Sequence, residues 1–268
     1  MDAAEPPSRP GRTAPLFGRS EIHDALLQTL DEARAGSGQF LLLVGEAGVG
    51  KSTLLARTVE DARDLGFLTV TARALPSDLP SPLALVQDLL RNLPPTEEQR
   101  PGSAGPDLGY LSLFLAPYET DRPTEGAPSD REREADHLLR YLAGPPARVE
   151  ESRVLIFDRL TDLFRKLAEH EPMLLAIDDL QFADDSSIEF LERFARELGD
   201  ARAAVVATIV PSTESPARTS HLVGRLLSGE RAARLTVRKM TEPELSEYAR
   251  WLLNGRDPGR EAVLRWYT

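Results

Sequence analysis

Residues 40–52 decide the fold of this chain, and they read Phe40-Leu41-Leu42-Leu43-Val44-Gly45-Glu46-Ala47-Gly48-Val49-Gly50-Lys51-Ser52. Residues 40–44 are apolar on both faces, which is typical of a buried parallel strand. Residues 45–52 fit the pattern G-x-x-x-x-G-K-[ST], and a helical apolar pattern follows them at once. A strand, a glycine loop and a helix in this order predict a P-loop, which binds phosphate. The alternative is a glycine-rich turn with a chance lysine.

Each position of this loop has an expected role at ATP or ADP. The three glycines permit the turn and a close approach of the backbone to phosphate. Lys51 should reach the β- and γ-phosphates and act in catalysis, and the Ser52 hydroxyl should bind Mg²⁺. The predicted nucleotide-binding residues of this segment are Gly45, Glu46, Ala47, Gly48, Val49, Gly50, Lys51, Ser52 and Thr53.

A second acidic site follows the apolar run at residues 174–177, where Asp178 and Asp179 stand side by side. This is the pattern of a Walker B strand. Asp178 is predicted to hold Mg²⁺ through water, and Asp179 to polarise the attacking water. The alternative is a buried strand that ends in two solvated acids. Because aspartate is one methylene shorter than glutamate, we expect slow hydrolysis.

The strand and helix patterns alternate along the chain, which predicts an α/β fold with a parallel sheet covered by helices on both faces. The predicted strands are 40–44, 67–72, 173–177, 203–209 and 234–237. The predicted helices start near Ser20, pass through Leu54, Leu55 and Val59, and cover 150–170, 186–198, 219–228, 242–253 and 258 to the end.

Three regions are predicted: a disordered leader at residues 1–15, a core at 16–240 and the start of a helical lid at 241–268. Residues 75–150, rich in Pro and Gly, read as a helical and partly disordered insertion in the core. It has helical patterns at 82–93, 108–116 and 131–142 and a mobile loop at 119–130. Since the last helical pattern reaches Thr268 without a cap, we expect that the chain was cut from a longer protein.

The composition excludes several classes of function. The chain has no cysteine, so it has no disulfide framework and no thiolate metal site. Its apolar runs are far shorter than the roughly 20 residues that span a bilayer, and it starts without a signal sequence, so we expect a cytoplasmic protein with no membrane partner. A net charge of −11 disfavours direct nucleic-acid binding by this segment. The four histidines have no ligand spacing, which leaves nucleotide-bound Mg²⁺ as the expected metal.

Three stretches together resemble the AAA-type ATPase domain of the STAND class, as found in large ATP-binding LuxR-type regulators. They are Leu16-Phe17-Gly18-Arg19, the P-loop, and Asp178-Asp179-Leu180-Gln181-Phe182-Ala183-Asp184-Asp185-Ser186-Ser187. The resemblance implies an ASCE-type sheet with the strand order 5-1-4-3-2. It also implies that Phe17 and Gly18 lie against the adenine and that Arg19 helps to close the nucleotide pocket. The alternative for Arg19 is a surface arginine at a helix start.

The chain departs from that family after its fourth strand. Relatives read T-x-R-P there, with an arginine on the terminal phosphate, whereas this chain has Val210 in that place. Thr208 is predicted to sense the γ-phosphate through its hydroxyl, and a β-branched strand residue is the alternative. Arg218 and Arg225 are candidates to replace the arginine, from their nearness in sequence alone.

The run after the acidic pair has two interpretations. Asp184 to Ser187 are expected to cap the next helix rather than to act in catalysis. For Gln181 as well, the two interpretations are a structural role and a catalytic role.

The preferred hypothesis is an ATP-dependent switch domain of a signalling or transcriptional regulator, which hydrolyses slowly and associates with itself or a partner protein on activation. The first alternative is a motor-type or DNA-loading AAA ATPase, against which the acidic charge argues. The second alternative is a scaffold that binds ATP without hydrolysing it, which Val210 favours.

Overall fold

The computed structural model describes residues 15–76, 82–93, 146–211, 216–228 and 231–259. Several predictions lie outside these ranges: most of the leader, the helical patterns at 108–116 and 131–142, the loop at 119–130, and the last helix beyond residue 259.

The fold is built on a five-stranded sheet. Its strands are β1 (Gln39–Val44), β2 (Leu68–Arg73), β3 (Met173–Asp178), β4 (Ala203–Ile209) and β5 (Ala232–Thr236). All neighbouring pairs are parallel, in the order β2-β3-β4-β1-β5. This is the predicted order 5-1-4-3-2, and the predicted α/β fold is confirmed. Each residue of β4 is buried, as an inner strand of a covered sheet requires.

Helices alternate with the strands and flank the sheet, as the alternation of patterns predicted. They are α1 (Ser20–Arg34), α2 (Lys51–Asp64), α3 (Ala84–Arg91), α4 (Pro146–His170), α5 (Asp185–Glu197), α6 (Pro216–Leu226) and α7 (Glu242–Leu252), with a 3₁₀ turn at Leu180–Phe182.

Aromatic side chains fill the space between α4 and α5. The ring of Phe164 lies 5.6 Å from that of Phe194 and 6.1 Å from that of Phe190, between ring centroids. All three side chains are almost fully buried in the large apolar core. Ring pairs at such distances stabilise a core beyond the burial of their area. Through α5, this packing fixes the segment that follows the acidic pair.

The chain divides into two compact units. Residues 25–238 form the larger unit, which contains the whole sheet. Described residues 15–24 and 239–259 belong to the smaller unit, in which α7 begins with a capping box between Thr241 and Glu244. In the described part of the chain, no helix is both long enough and apolar enough to cross a membrane.

Candidate functional site

The glycine loop connects the end of β1 to the start of α2, as predicted. Gly48 has φ 76° and Gly50 has φ 94°, a conformation that glycine adopts without the cost other residues incur. A Cβ atom on either would meet nothing within 4 Å, so their surroundings are open. A Cβ atom on Gly45 would lie 2.3 Å from the carbonyl oxygen of Val237, which excludes any side chain there. Gly48 and Gly50 are therefore required for their backbone conformation, and Gly45 for its close contact with Val237.

Lys51 is the first residue of α2, and its side chain is only 5% exposed. Its Nζ donates hydrogen bonds to the carbonyl oxygens of Gly45, at 2.9 Å, and Glu46, at 2.7 Å. Burial lowers the pKa of Lys51, and the nearby charges of Asp179 and Asp178 oppose that shift. The ammonium group therefore lies inside the loop, against its carbonyl groups. Of the other predicted loop residues, Gly45 and Val49 are buried, Gly50 is half-buried, and the rest are exposed: Glu46, Ala47, Gly48, Ser52 and Thr53.

The Ser52 hydroxyl and the Asp178 carboxylate, which are 126 residues apart in the chain, meet beside the loop. Ser52 Oγ donates to Asp178 Oδ1 at 3.0 Å. Thr208 Oγ1, at the end of β4, donates to the same oxygen at 2.5 Å and accepts from the backbone N–H of Asp179 at 2.9 Å. The two residues predicted to hold Mg²⁺ are thus adjacent. The phosphate-sensing role of Thr208 stays a prediction, because its hydroxyl here binds the acidic pair.

Asp179 has φ 56° and lies between the end of β3 and the 3₁₀ turn at Leu180–Phe182. Its Oδ2 accepts hydrogen bonds from Arg73 Nε, at 3.0 Å, and Arg73 Nη2, at 2.8 Å. Its Oδ1 accepts from Gln181 Nε2 at 3.1 Å, and Gln181 Oε1 accepts from the backbone N–H of Val210 at 3.0 Å. Because a backbone N–H needs an acceptor, this last bond fixes which way the Gln181 amide points. Both oxygens of Asp179 are therefore bound.

Sequence reasoning missed Arg73. It is the last residue of β2, and in the parallel register it lies opposite Asp178 of β3. The hydrogen bond to Asp179 is the main cause that raises the pKa of Arg73. The predicted strand stopped one residue earlier, at residue 72. Noting a charged residue at the end of a strand adjacent to β3 would have found it.

The residues after the acidic pair have a structural role. Asp184 is 2% exposed and caps α5: its Oδ1 accepts from the backbone N–H of Ser187 at 2.9 Å and its Oδ2 from the Ser187 hydroxyl at 2.5 Å. The preference for a capping role is confirmed. Asp184 Oδ1 also accepts from the backbone N–H of Leu83, at 2.8 Å, which attaches the start of α3 to this segment.

Phe17, Gly18 and Arg19 lie in the smaller unit, where aromatic rings surround Phe17. Its ring centroid is 5.8 Å from that of Tyr248 and 6.2 Å from that of Trp251. Gly18 has φ 61°, and a Cβ atom on it would lie 2.2 Å from the side chain of Glu244. Arg19 is buried. Gly18 therefore has a packing reason of its own, and the adenine contacts expected of these residues remain predictions.

Arg218 and Arg225 are the candidates to replace the arginine that relatives have at the position of Val210, and the structure describes the side chain of Arg225. Arg225 binds Glu192 of α5, with its Nε at 2.8 Å and its Nη2 at 2.5 Å from Glu192 Oε2. The Arg218 side chain lies outside the described residues. Arg73, by contrast, binds the acidic pair through Asp179.

Comparison with known proteins identifies a family and a curated relative. A family model described as an AAA ATPase domain matches residues 15–207. An uncharacterized protein of Rhizobium meliloti (strain 1021) is 26% identical over 212 residues, which are 75% of this chain and 19% of that protein. The chain thus spans about a fifth of the length of this curated relative.

Solved structures with a similar arrangement share little sequence. The Aeropyrum pernix ORC2 protein in its ADPNP-ADP complexes is 16% identical, with a TM-score of 0.49, over 92% of this chain and 55% of that chain. A Walker-type ATPase of Pyrococcus abyssi is 15% identical, with a TM-score of 0.46, over 94% of this chain and 62% of that chain.

Proposed function

The chain belongs to the family of AAA ATPase domains, and we propose that it binds ATP with Mg²⁺ at the P-loop as a slowly hydrolysing switch domain of a signalling or transcriptional regulator. The observation that carries this proposal is the meeting of Ser52 Oγ and Asp178 Oδ1, 3.0 Å apart, beside an open glycine loop. These are the two groups that a magnesium nucleotide needs from the protein, on different elements of the sheet's carboxyl edge.

The binding step relies on Lys51 and the start of α2. A helix N-terminus with inward N–H groups favours an anion, and a buried ammonium group beside it adds a full charge. On nucleotide binding, Lys51 Nζ exchanges the carbonyl oxygens of Gly45 and Glu46 for phosphate oxygens. Because Lys51 is buried, its bond to phosphate is little screened by solvent.

The metal fits the oxygen donors that are present. Mg²⁺ prefers oxygen ligands and keeps several of its waters, so one hydroxyl and one water-linked carboxylate from the chain suffice beside the phosphates. When bound, Mg²⁺ neutralises charge that develops on the β- and γ-phosphates. Ser52 would bind it directly and Asp178 through water.

Slow turnover is part of the proposal. Asp179 is the group for the attacking water, yet both its oxygens already accept hydrogen bonds from Arg73 and Gln181. A carboxylate so bound serves a water poorly, which favours a long-lived ATP state over rapid cycling. Such a state suits a cytoplasmic switch that associates with itself or a partner when ATP is bound, with its output in another part of a longer protein.

The proposal is tested by titration calorimetry with ATP and ADP in the presence of Mg²⁺. The variant Lys51→Ala should bind ATP at least about tenfold more weakly, because a charge-assisted hydrogen bond contributes roughly 1.5–3 kcal/mol. Lys166→Ala is the matched control, since Lys166 is an exposed lysine on α4, and its affinity should equal that of the wild type. Equal ATP affinity of Lys51→Ala and wild type would refute binding at this loop.

The non-hydrolysing scaffold is the second candidate, and the bound state of Asp179 together with Val210 favours it. Single-turnover hydrolysis, with the protein in excess over radiolabelled ATP, separates the two. Product that accumulates over minutes to hours supports the switch. Bound ATP that stays intact supports the scaffold.

A further inference from the structure

The two edges of the sheet, β2 and β5, differ in how their backbone groups are covered. The strands of the described residues run in the order β2-β3-β4-β1-β5, so each edge strand pairs with one neighbour. At the β2 edge, side chains of α3 and of the residue after it bind backbone groups that point outward. Asp88 Oδ2 accepts from the backbone N–H of Arg73 at 3.3 Å, and Asn92 Nδ2 donates to the carbonyl oxygen of Thr71 at 2.9 Å. That edge is therefore partly blocked.

The β5 edge is open in the described part of the chain. Backbone bonds from Arg231 and Val237, at its two ends, join β5 to β1. Because successive residues of a strand direct their N–H and C=O groups to opposite sides, every second residue between those ends points away from β1. These outward residues, with which no described strand pairs, are Ala232, Arg234 and Thr236. Three residues of β5 are exposed and none is buried, whereas all of β4 is buried.

The β5 edge is also locally basic. Residues 231–241 contain four basic residues and no acidic one, in a chain whose net charge is −11. Arg231 and Arg234 are both exposed. Arg231 Nη1 donates to Ser37 Oγ at 2.7 Å, and Arg234 forms no ion pair with any described residue. Because side chains alternate between the two faces of a strand, these arginines place a cation on each side of the open backbone groups.

We infer that the β5 edge binds an extended acidic segment of a partner protein, which joins the sheet as an additional strand. The backbone of the segment bonds to the outward N–H and C=O groups of β5, which gives affinity without regard to sequence. Its carboxylates pair with Arg231 and Arg234, which gives the preference for acidic sequences. This surface lies apart from the glycine loop, so the inference goes beyond the proposed function and does not depend on it.

Charge disfavours a second copy of this strand as the occupant. Two β5 edges paired about a twofold axis would bring the same basic residues together, and like charges directly opposite each other destabilise a strand pair. Charged residues on an edge strand also discourage pairing with unrelated strands. An acidic strand turns that repulsion into attraction, so the arginines both protect the edge and select its partner.

The test uses the full chain and a fluorescent peptide of about seven residues, the length of a strand, in which valine and glutamate alternate. We expect saturable binding by fluorescence anisotropy at about 50 mM salt and weaker binding at about 300 mM, because salt screens exposed ion pairs. The same peptide N-methylated at every residue keeps its charge but has no N–H groups for the ladder, and it should not bind. The inference is overturned if the unmodified peptide does not bind at protein concentrations up to about 0.5 mM, or if both peptides bind equally.

Variants of the edge separate its charge from its backbone. Arg234→Glu should weaken peptide binding about three- to tenfold, because it replaces an attraction with a repulsion. Ala232→Pro removes an outward N–H that β1 does not use, a place where an edge strand tolerates proline, and it should also weaken binding. Arg159→Glu is the matched control, since Arg159 is an exposed arginine of α4. It should bind the peptide as the wild type does, and equal losses in Arg159→Glu and Arg234→Glu would overturn the inference.

Hydrogen exchange followed by NMR locates the bound peptide. The peptide should slow the exchange of the outward backbone N–H groups of Ala232, Arg234 and Thr236, which gain partners in the new ladder. Those of Ala233 and Leu235 face β1 and are bonded before the peptide is added, so their exchange should change less. Protection that appears elsewhere and not at the outward groups would overturn the inference.

Two other occupants give different results. A single-stranded oligonucleotide that displaces the peptide and depends equally on Arg234 would assign the surface to nucleic acid and overturn the inference. Dimerisation of the wild type in sedimentation experiments, if lost in Ala232→Pro, would assign it to a second copy with the same consequence. A chain that fails to bind ATP but binds the peptide would remove the proposed function and leave this inference standing, because the peptide test contains no nucleotide.

Discussion

Thr208 joins the two acids of the site through one hydroxyl group. The side chain is fully buried, accepts from the backbone N–H of Asp179 and donates to Asp178 Oδ1. The variant Thr208→Val replaces that hydroxyl with a methyl group of the same size and leaves the N–H without its partner. We expect the free energy of unfolding, measured by urea denaturation without nucleotide, to fall by about 1–3 kcal/mol.

The control is Thr208→Ser, which keeps the hydroxyl and loses a methyl group. It should destabilise the chain by less than Thr208→Val does, and hydrolysis should persist in it. A hydroxyl that acted on the γ-phosphate alone would contribute nothing before ATP binds. Equal stability of Thr208→Val and wild type in the absence of nucleotide would therefore support that role against the one argued from the contacts.

The sequence predicts the placement of residues that lie close together along the chain. Gly45, Lys51 and Ser52 follow a fixed spacing, so their placement in one loop could be predicted. The meeting of Ser52 with Asp178 follows from a general rule, that the carboxyl ends of parallel strands share one edge. Arg73 was not found in this way, because its contact with Asp179 depends on which strands are neighbours and the predicted strand ended one residue before it.

The Asp184 side chain links α5 to the start of α3, so its removal should affect both helices. It caps α5 and also accepts the backbone N–H of Leu83 before α3. Asp184→Ala loses a cap, which costs about 0.5–2 kcal/mol, and leaves a buried N–H unbound, which costs about 1–3 kcal/mol. We expect a loss of roughly 2–4 kcal/mol in unfolding free energy by urea denaturation, near the large end for one substitution.

Ser186→Ala provides the comparison, because Ser186 is a half-buried polar residue in the first turn of the same helix. It should change the stability by less than about 0.5 kcal/mol, as substitutions away from such contacts do. If both variants lost the same stability, the cap and the bond to Leu83 would not be the cause. Asp184→Asn keeps an acceptor oxygen and should lose less stability than Asp184→Ala.

The kinds of elements were predictable and their ends were less so. Apolar periodicity placed each described strand and helix, but α6 begins at Pro216 and not at residue 219. Proline fits the first turn of a helix, where its missing N–H has no partner to lose. Likewise β2 runs to Arg73, one residue further than its apolar pattern. The end of a helix depends on its cap, and the end of a strand on its pairing with neighbouring strands. Apolar periodicity carries no information on either.

At the scale of the whole molecule, the strand order was predictable only from the resemblance to a known class. Alternating strands and helices imply a parallel sheet, but they permit several orders, because each crossover can pass to either side. The order β2-β3-β4-β1-β5 places β4 between the P-loop strand and β3. This spacing lets Thr208 reach both acids, so the order is what assembles the site.

Charge over the whole molecule bears on the choice between the proposed switch and the DNA-loading alternative. Non-specific affinity for DNA comes from cations that neutralise phosphates. In this chain the 43 acidic residues outnumber the 32 basic ones, which disfavours such binding. We expect no binding to a duplex oligonucleotide by fluorescence anisotropy at about 150 mM salt, a condition under which basic proteins still bind non-specifically. The rate of ATP hydrolysis should likewise be the same with and without duplex DNA. Heparin serves as the polyanion control, because a response to both polymers would indicate charge alone. A rise in ATP turnover with DNA and not with heparin would favour the loading enzyme, since it would require a local DNA-binding surface that the net charge conceals.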